Sequence, residues 1–193
     1  SIMDMVNQSD DCKFYIVKDL PEDTKRAGRA TVKAFGVKSR FVHFEFFRLL
    51  SDHEGLGKKG DLMALEVNMR PSGGFTPDMI NFARETDVYK IWADMVAYDS
   101  TQKPVGTHHF CAFAGLRDGK DFALTPDDII EKYDDHLKMV ERMPDALADA
   151  MGNQMYLATF DTEEELHTFF ADVTRQKEPD VSVTSEAAEM VES

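Results

Sequence analysis

The stretch from Asp61 to Pro77, Asp-Leu-Met-Ala-Leu-Glu-Val-Asn-Met-Arg-Pro-Ser-Gly-Gly-Phe-Thr-Pro, constrains this chain more than any other. Its period-two alternation is that of a strand, with Leu65, Val67 and Met69 on one face and Glu66, Asn68 and Arg70 on the other. A carboxylate, an amide oxygen and a guanidinium in one row suit a divalent cation and a phosphate. The row runs into Ser72, Gly73 and Gly74, where backbone amides can approach a ligand closely. Thr76-Pro77-Asp78 then starts a helix, with Thr76 as its capping hydroxyl and its positive end directed at the same region.

The preceding apolar strand, Phe41 to Leu50, carries His43, Glu45 and Phe47 on one face and Val42, Phe44 and Phe46 on the other. A hairpin centred between Gly55 and Leu56 sets Glu45 opposite Glu66 and His43 opposite Asn68. A slip of one residue would undo that pairing. Opposed carboxylates repel, so the arrangement needs a cause. One acid could be protonated, a basic side chain could sit between them, or both could share Mg²⁺, and Asn68 alongside favours the last. The bland alternative is an ordinary Glu66–Arg70 salt bridge, with Asn68 pairing into a turn. His43 is expected to be a packed, hydrogen-bonded histidine, and His108 and His109, on opposite strand faces, to be structural. The methionines read as core packing.

Elsewhere, Lys13 to Lys18 reads as a strand, and Pro21 opens a helix that stops at Gly36. The helix from Thr76 continues to about Asp99 with a break near Thr86. Thr107 to Gly115, the turn Arg117-Asp118-Gly119-Lys120 and Asp121 to Leu124 read as a β-hairpin. Thr125 opens a helix with Ile129, Tyr133, Leu137 and Val140 on one face. Gln154 to Phe160 is a strand, and Thr162 with Glu165 makes a capping box for a helix burying Leu166, Phe169, Phe170 and Val173. The expected class is α+β, a largely antiparallel sheet with helices packed on it. The expected organisation is one catalytic lobe over 1–176, with a core at 13–99 and an appended hairpin and strand–helix unit at 105–176. A flexible acidic tail at 177–193 completes it.

Twenty-two basic against thirty-six acidic residues leave a net charge of −14, which argues against nucleic acid or an anionic membrane as partner. Cys12 and Cys111 are too few for a disulfide framework or a four-cysteine zinc site, and fit a reducing cytoplasm. The opening Ser-Ile-Met-Asp-Met lacks the features of a secretory signal, and its serine suggests a piece of a longer protein.

At Glu45 in Val-His-Phe-Glu-Phe-Phe, and at Glu66, Asn68 and Arg70 in Leu-Glu-Val-Asn-Met-Arg-Pro, the sequence resembles the C-terminal part of an ATP-grasp ligase. The likeness is to the carbamoyl-phosphate-synthase-like large-chain type and the carboxylate–amine ligases, and its core runs from about Lys13 to Asp99. The resemblance implies that Glu45, Glu66 and Asn68 are metal ligands for the Mg²⁺ (or Mn²⁺) that bridges ATP phosphates. It implies that Arg70 acts catalytically on the transferred phosphate or acyl substrate, and that Gly73 and Gly74 belong to the nucleotide-binding loop. It also implies the reaction: a small carboxylate becomes an acyl phosphate, which an amine or other nucleophile then attacks. No lysine-bearing nucleotide strand and no Gly-x-x-x-x-Gly-Lys-Ser/Thr loop precedes Phe41, so only half the cleft is expected here. The other partners are then the missing N-terminal lobes of the same protein, or a second copy covering the exposed half-cleft. Two other readings stand beside this one: a non-catalytic interaction or regulatory domain on the same scaffold, and a cation-binding module. The loop Asp52 to Asp61 lacks the spaced acids of an EF-hand, which ranks the module last.

Overall fold

Phe110 to Leu116 reads Phe-Cys-Ala-Phe-Ala-Gly-Leu, apolar on both faces, and such a strand belongs inside a sheet covered on both sides. A computed structural model describing residues 10–101 and 106–178 has it there. The chain order is β1 (Cys12–Ile16), α1 (Glu22–Ala34), β2 (His43–Arg48), β3 (Leu62–Asn68), α2 (Thr76–Arg84), α3 (Val88–Tyr98), β4 (Phe110–Leu116), α4 (Pro126–Tyr133), β5 (Leu137–Arg142), α5 (Asp145–Met151), β6 (Gln154–Phe160) and α6 (Glu163–Thr174). Four strands form one antiparallel sheet in the order β1-β4-β6-β5, and β2 and β3 form a separate antiparallel hairpin. The fold is α+β.

Alternation along the two central strands divides the core. Ala112, Ala114, Leu116, Tyr156, Ala158 and Phe160 face α4 and α6 and pack with Ile129, Tyr133, Leu166 and Phe169. Cys111, Phe113, Met155 and Leu157 face the other way, onto Cys12 and onto Met79 and Ala83 of α2. Gly115 sits where β4 passes the end of α5: a Cβ there would meet the Met151 carbonyl oxygen at 1.7 Å, so only glycine fits. The capping boxes at Thr125 and Thr162 form, each hydroxyl accepting from the third residue on while that residue's carboxylate accepts in return.

Two expected elements are different. Asp121 to Leu124 is not the second strand of a hairpin, because β1 and β6 already occupy both edges of β4. Phe122 instead makes an isolated bridge to Gln176. Leu137 and Val140 do not extend the α4 helix. That helix ends at Tyr133, and the two residues lie on β5, an edge strand, while still packing on the same core. The α2–α3 break falls where expected, at Glu85 with φ +46°. Residues 179–193, nearly all of the expected acidic tail, and residue 105 lie outside the described residues. Among the described residues no helix is long and apolar enough to cross a membrane.

The β2–β3 hairpin stands apart from this core. It has no fully buried residue, and an Arg48–Asp23 pair at 2.7 Å ties it to α1. All but Ile130 and Leu147 of the exposed large apolar side chains among the described residues lie between Leu20 and Tyr98.

Candidate functional site

The β2–β3 register is set by a loop that closes on itself. Leu49 N donates to Asp61 O, Gly60 N to Leu49 O, and the Asp52 and Asp61 carboxylates accept from Lys59 N and Lys58 N. Those two acids are therefore committed to the turn. The strands then pair His43 with Asn68, Phe44 with Val67 and Glu45 with Glu66. After Glu45 the register shifts, so Phe46 pairs with Ala64 and Leu65 is bulged out, 55% exposed. The sequence puts Leu65 on the apolar face with Val67 and Met69; the bulge removes it.

Directly opposed residues share a face, so the Glu45 and Glu66 carboxylates emerge side by side. No lysine or arginine among the described residues pairs with either acid. The Glu66 carboxylate makes no hydrogen bond or ion pair among the described residues, and that of Glu45 has only His43 Nε2 at 3.7 Å. The Glu66–Arg70 salt bridge is absent among the described residues. Arg70 Nη1 instead donates to the Pro71 carbonyl at 2.9 Å. His43 is packed but not hydrogen-bonded through Nδ1: that atom and Asn68 Nδ2 are both buried without a partner. Buried polar groups are ordinarily paired, so this facing couple next to two carboxylates is polar capacity the fold leaves unused.

Two carboxylates and an amide oxygen suit Mg²⁺, which takes few protein oxygens and completes its shell with water and phosphate. These residue types suit that ion through their oxygens; the unpaired atom of Asn68 is Nδ2, an N–H donor that would not itself be a ligand. Among the described residues no cluster of three or more histidines, cysteines, aspartates or glutamates could hold a metal by itself.

Beyond Arg70 the chain forms the open loop Pro71 to Gly74. Gly74 has φ +59°, and the loop amides of Ser72, Gly73 and Gly74 make no hydrogen bond among the described residues. Thr76 does not cap α2. Phe75 is the N-cap, no side-chain cap bond forms, and Pro77 lies in the first turn. The first amides of α2 are thus left without a capping side chain. His109 is structural, bridging Asp161 Oδ1 at 2.9 Å and Glu85 Oε1 at 3.3 Å.

Sequence reasoning did not bring Phe41 and α3 to this loop, yet Phe41, Pro71, Pro77, Val88, Tyr89 and Trp92 line one cleft. The signal available was the chain's single tryptophan on a helix whose mean character is apolar. No protein-family model and no curated protein matches this chain.

Proposed function

We propose that this chain supplies the metal- and phosphate-binding half of an ATP- and Mg²⁺-dependent ligase. Such an enzyme activates a small carboxylate as an acyl phosphate for attack by an amine or another nucleophile. The observation that carries this reading is the opposition of Glu45 and Glu66, with Asn68 on the adjoining pair and no lysine or arginine paired with either acid among the described residues. Glu45, Glu66 and Asn68 would hold Mg²⁺, which when bound offsets charge gathering between the β- and γ-phosphates. Arg70, held among the described residues by a backbone carbonyl alone, is available to a phosphate oxygen or a substrate carboxylate. The unbonded amides of Ser72, Gly73 and Gly74 are donors of the kind that receive phosphate. No protein nucleophile is required. Cys12 and Cys111, both buried and unpaired, suit the reducing cytoplasm in which ATP is used.

Calorimetric titration of ADP with Mg²⁺ into the wild-type chain and into Glu66→Ala tests the reading. Heat from the wild type alone supports it, and equal heats from both proteins overturn the site. On this reading turnover by the 193 residues alone is expected to be slight, because a second, lysine-bearing lobe would be needed to close the nucleotide cleft.

A second reading, a non-catalytic interaction or regulatory domain, is favoured by the exposed apolar side chains gathered between Leu20 and Tyr98. Light scattering distinguishes it: concentration-dependent self-association without any Mg²⁺–ADP heat would favour the interaction domain.

A further inference from the structure

Phe41, just before β2, and Pro71, just after Arg70, form one wall of a cleft of about 400 Å³ whose other wall is Pro77, Val88, Tyr89 and Trp92. Its size lies within the range of roughly 300–1,000 Å³ usual for small-molecule sites. The lining is apolar and largely aromatic, and it makes almost no polar demand. The one hydroxyl in it, that of Tyr89, donates to the Asp78 carboxylate at 3.1 Å from Oδ1 and 3.2 Å from Oδ2. Beside this lining lies the opposite character. Pro71 lines the cleft and its carbonyl accepts from Arg70 Nη1 at 2.9 Å, so a guanidinium that is not itself part of the lining rests on a lining residue. It has no acidic partner among the described residues.

An apolar cleft with an acid-free guanidinium on one of its lining residues is complementary to a molecule with the same two halves. We propose that the cleft seats a small carboxylic acid bearing an aromatic ring. The ring lies among Phe41, Tyr89 and Trp92, and the carboxylate is on Arg70. This rests on the ligase reading in one respect only, that the bound acid is the substrate to be activated. Aromatic pairs favour offset-stacked or edge-on contact, which a cleft with three aromatic side chains in its lining can offer a planar ring. An aliphatic acid of the same length would lose that contact and keep only the charge pair.

The cleft contains the chain's only tryptophan, so its emission reports on this place alone. The test is a fluorescence titration of the full chain with 3-phenylpropionate, in EDTA and without nucleotide. Propionate and 3-phenylpropan-1-ol serve as comparison ligands. The expected result is a saturable change with 3-phenylpropionate at concentrations where both others have little effect. Arg70→Gln, an exposed position whose loss leaves the core intact, should weaken the acid roughly tenfold and leave the alcohol unchanged. Val88→Phe, which fills the slot from the first residue of α3, should abolish the response while circular dichroism stays that of the wild type. Equal binding of acid and alcohol, an Arg70→Gln protein that binds like wild type, or no saturable change with any ligand would each overturn the proposal. A Trp92 signal that follows protein concentration alone would assign the cleft to a second copy and overturn it too. Saturation of the slot in a protein that gives no Mg²⁺–ADP heat would uphold the acid site and remove its role as a ligase substrate pocket.

Discussion

Replacing Glu66 by glutamine should stabilise the metal-free protein and abolish its stabilisation by Mg²⁺ and nucleotide. The two carboxylates stand on directly opposed residues, which places their Cβ atoms about 4.5–5.5 Å apart. Charges about 6 Å apart repel by about 0.7 kcal/mol in a water-like dielectric. The Glu45 side chain is 42% exposed and Glu66 is exposed, so that limit applies rather than the interior one. Screening at physiological salt, with a Debye length of about 8 Å, brings the figure to roughly 0.3–0.7 kcal/mol. For a chain of this size the variant should then melt about 1–3 °C above wild type in EDTA at pH 8. With Mg²⁺–ADP at tenfold excess over Kd, wild type should gain about 1.4 kcal/mol, or about 3–6 °C, and the variant almost nothing. The order of stability reverses between the two conditions. Thermal melts followed by circular dichroism read both numbers. A variant less stable than wild type in EDTA would mean that the acids are not repelling each other. Equal gains with Mg²⁺–ADP would mean that Glu66 is not a ligand.

Three further outcomes follow from the fold. Phe113→Ala, at a fully buried position whose ring stacks on Phe14 at 4.6 Å, should cost about 3–5 kcal/mol in urea unfolding with little change in m. Thr162→Ala removes one half of the α6 capping box and should cost about 0.5–2 kcal/mol, while Thr162→Ser retains most of the stability. Hydrogen bonds from Arg48 hold the Asp23 carboxyl down at about 2, against an ordinary 3.8. Because the folded value is the lower, the stabilisation is complete above about pH 4 and is lost as the pH falls through 2. Asp23→Asn should therefore flatten the decline in melting temperature between pH 5 and 2.5 relative to wild type.

How much of this was legible follows from where tertiary structure overrides local pattern. The pairing of Glu45 with Glu66 could be read because both strands alternate and the loop between them is nearly symmetric about Gly55 and Leu56. The bulge at Leu65 could not, since it answers to the loop geometry and leaves no mark on residue type. Ile129, Tyr133, Leu137 and Val140 do share a core, so their apolar spacing was informative. It could not tell that the chain turns after Tyr133. His136 N donates to the Tyr133 carbonyl there, and His136 Nδ1 lies 2.9 Å from the Thr159 carbonyl, against the neighbouring strand. The missing hairpin has a similar cause: β4 is uniformly apolar because both its faces are covered, and both its edges are already paired with β1 and β6, which leaves Asp121 to Leu124 no edge to join. The cleft at Trp92 was invisible because it joins Phe41 to α3 across forty-odd residues, a proximity that no local spacing encodes.

The central claim is best tested by the position of a bound ion. Mn²⁺ titrated at substoichiometric levels with ADP should broaden the backbone amide resonances of residues 44–46 and 65–69 first. Those of the acidic first turns at Asp127–Asp128 and Glu163–Glu165 should stay sharp. Broadening that begins at those helix starts, with the hairpin unaffected, would contradict a metal site between β2 and β3.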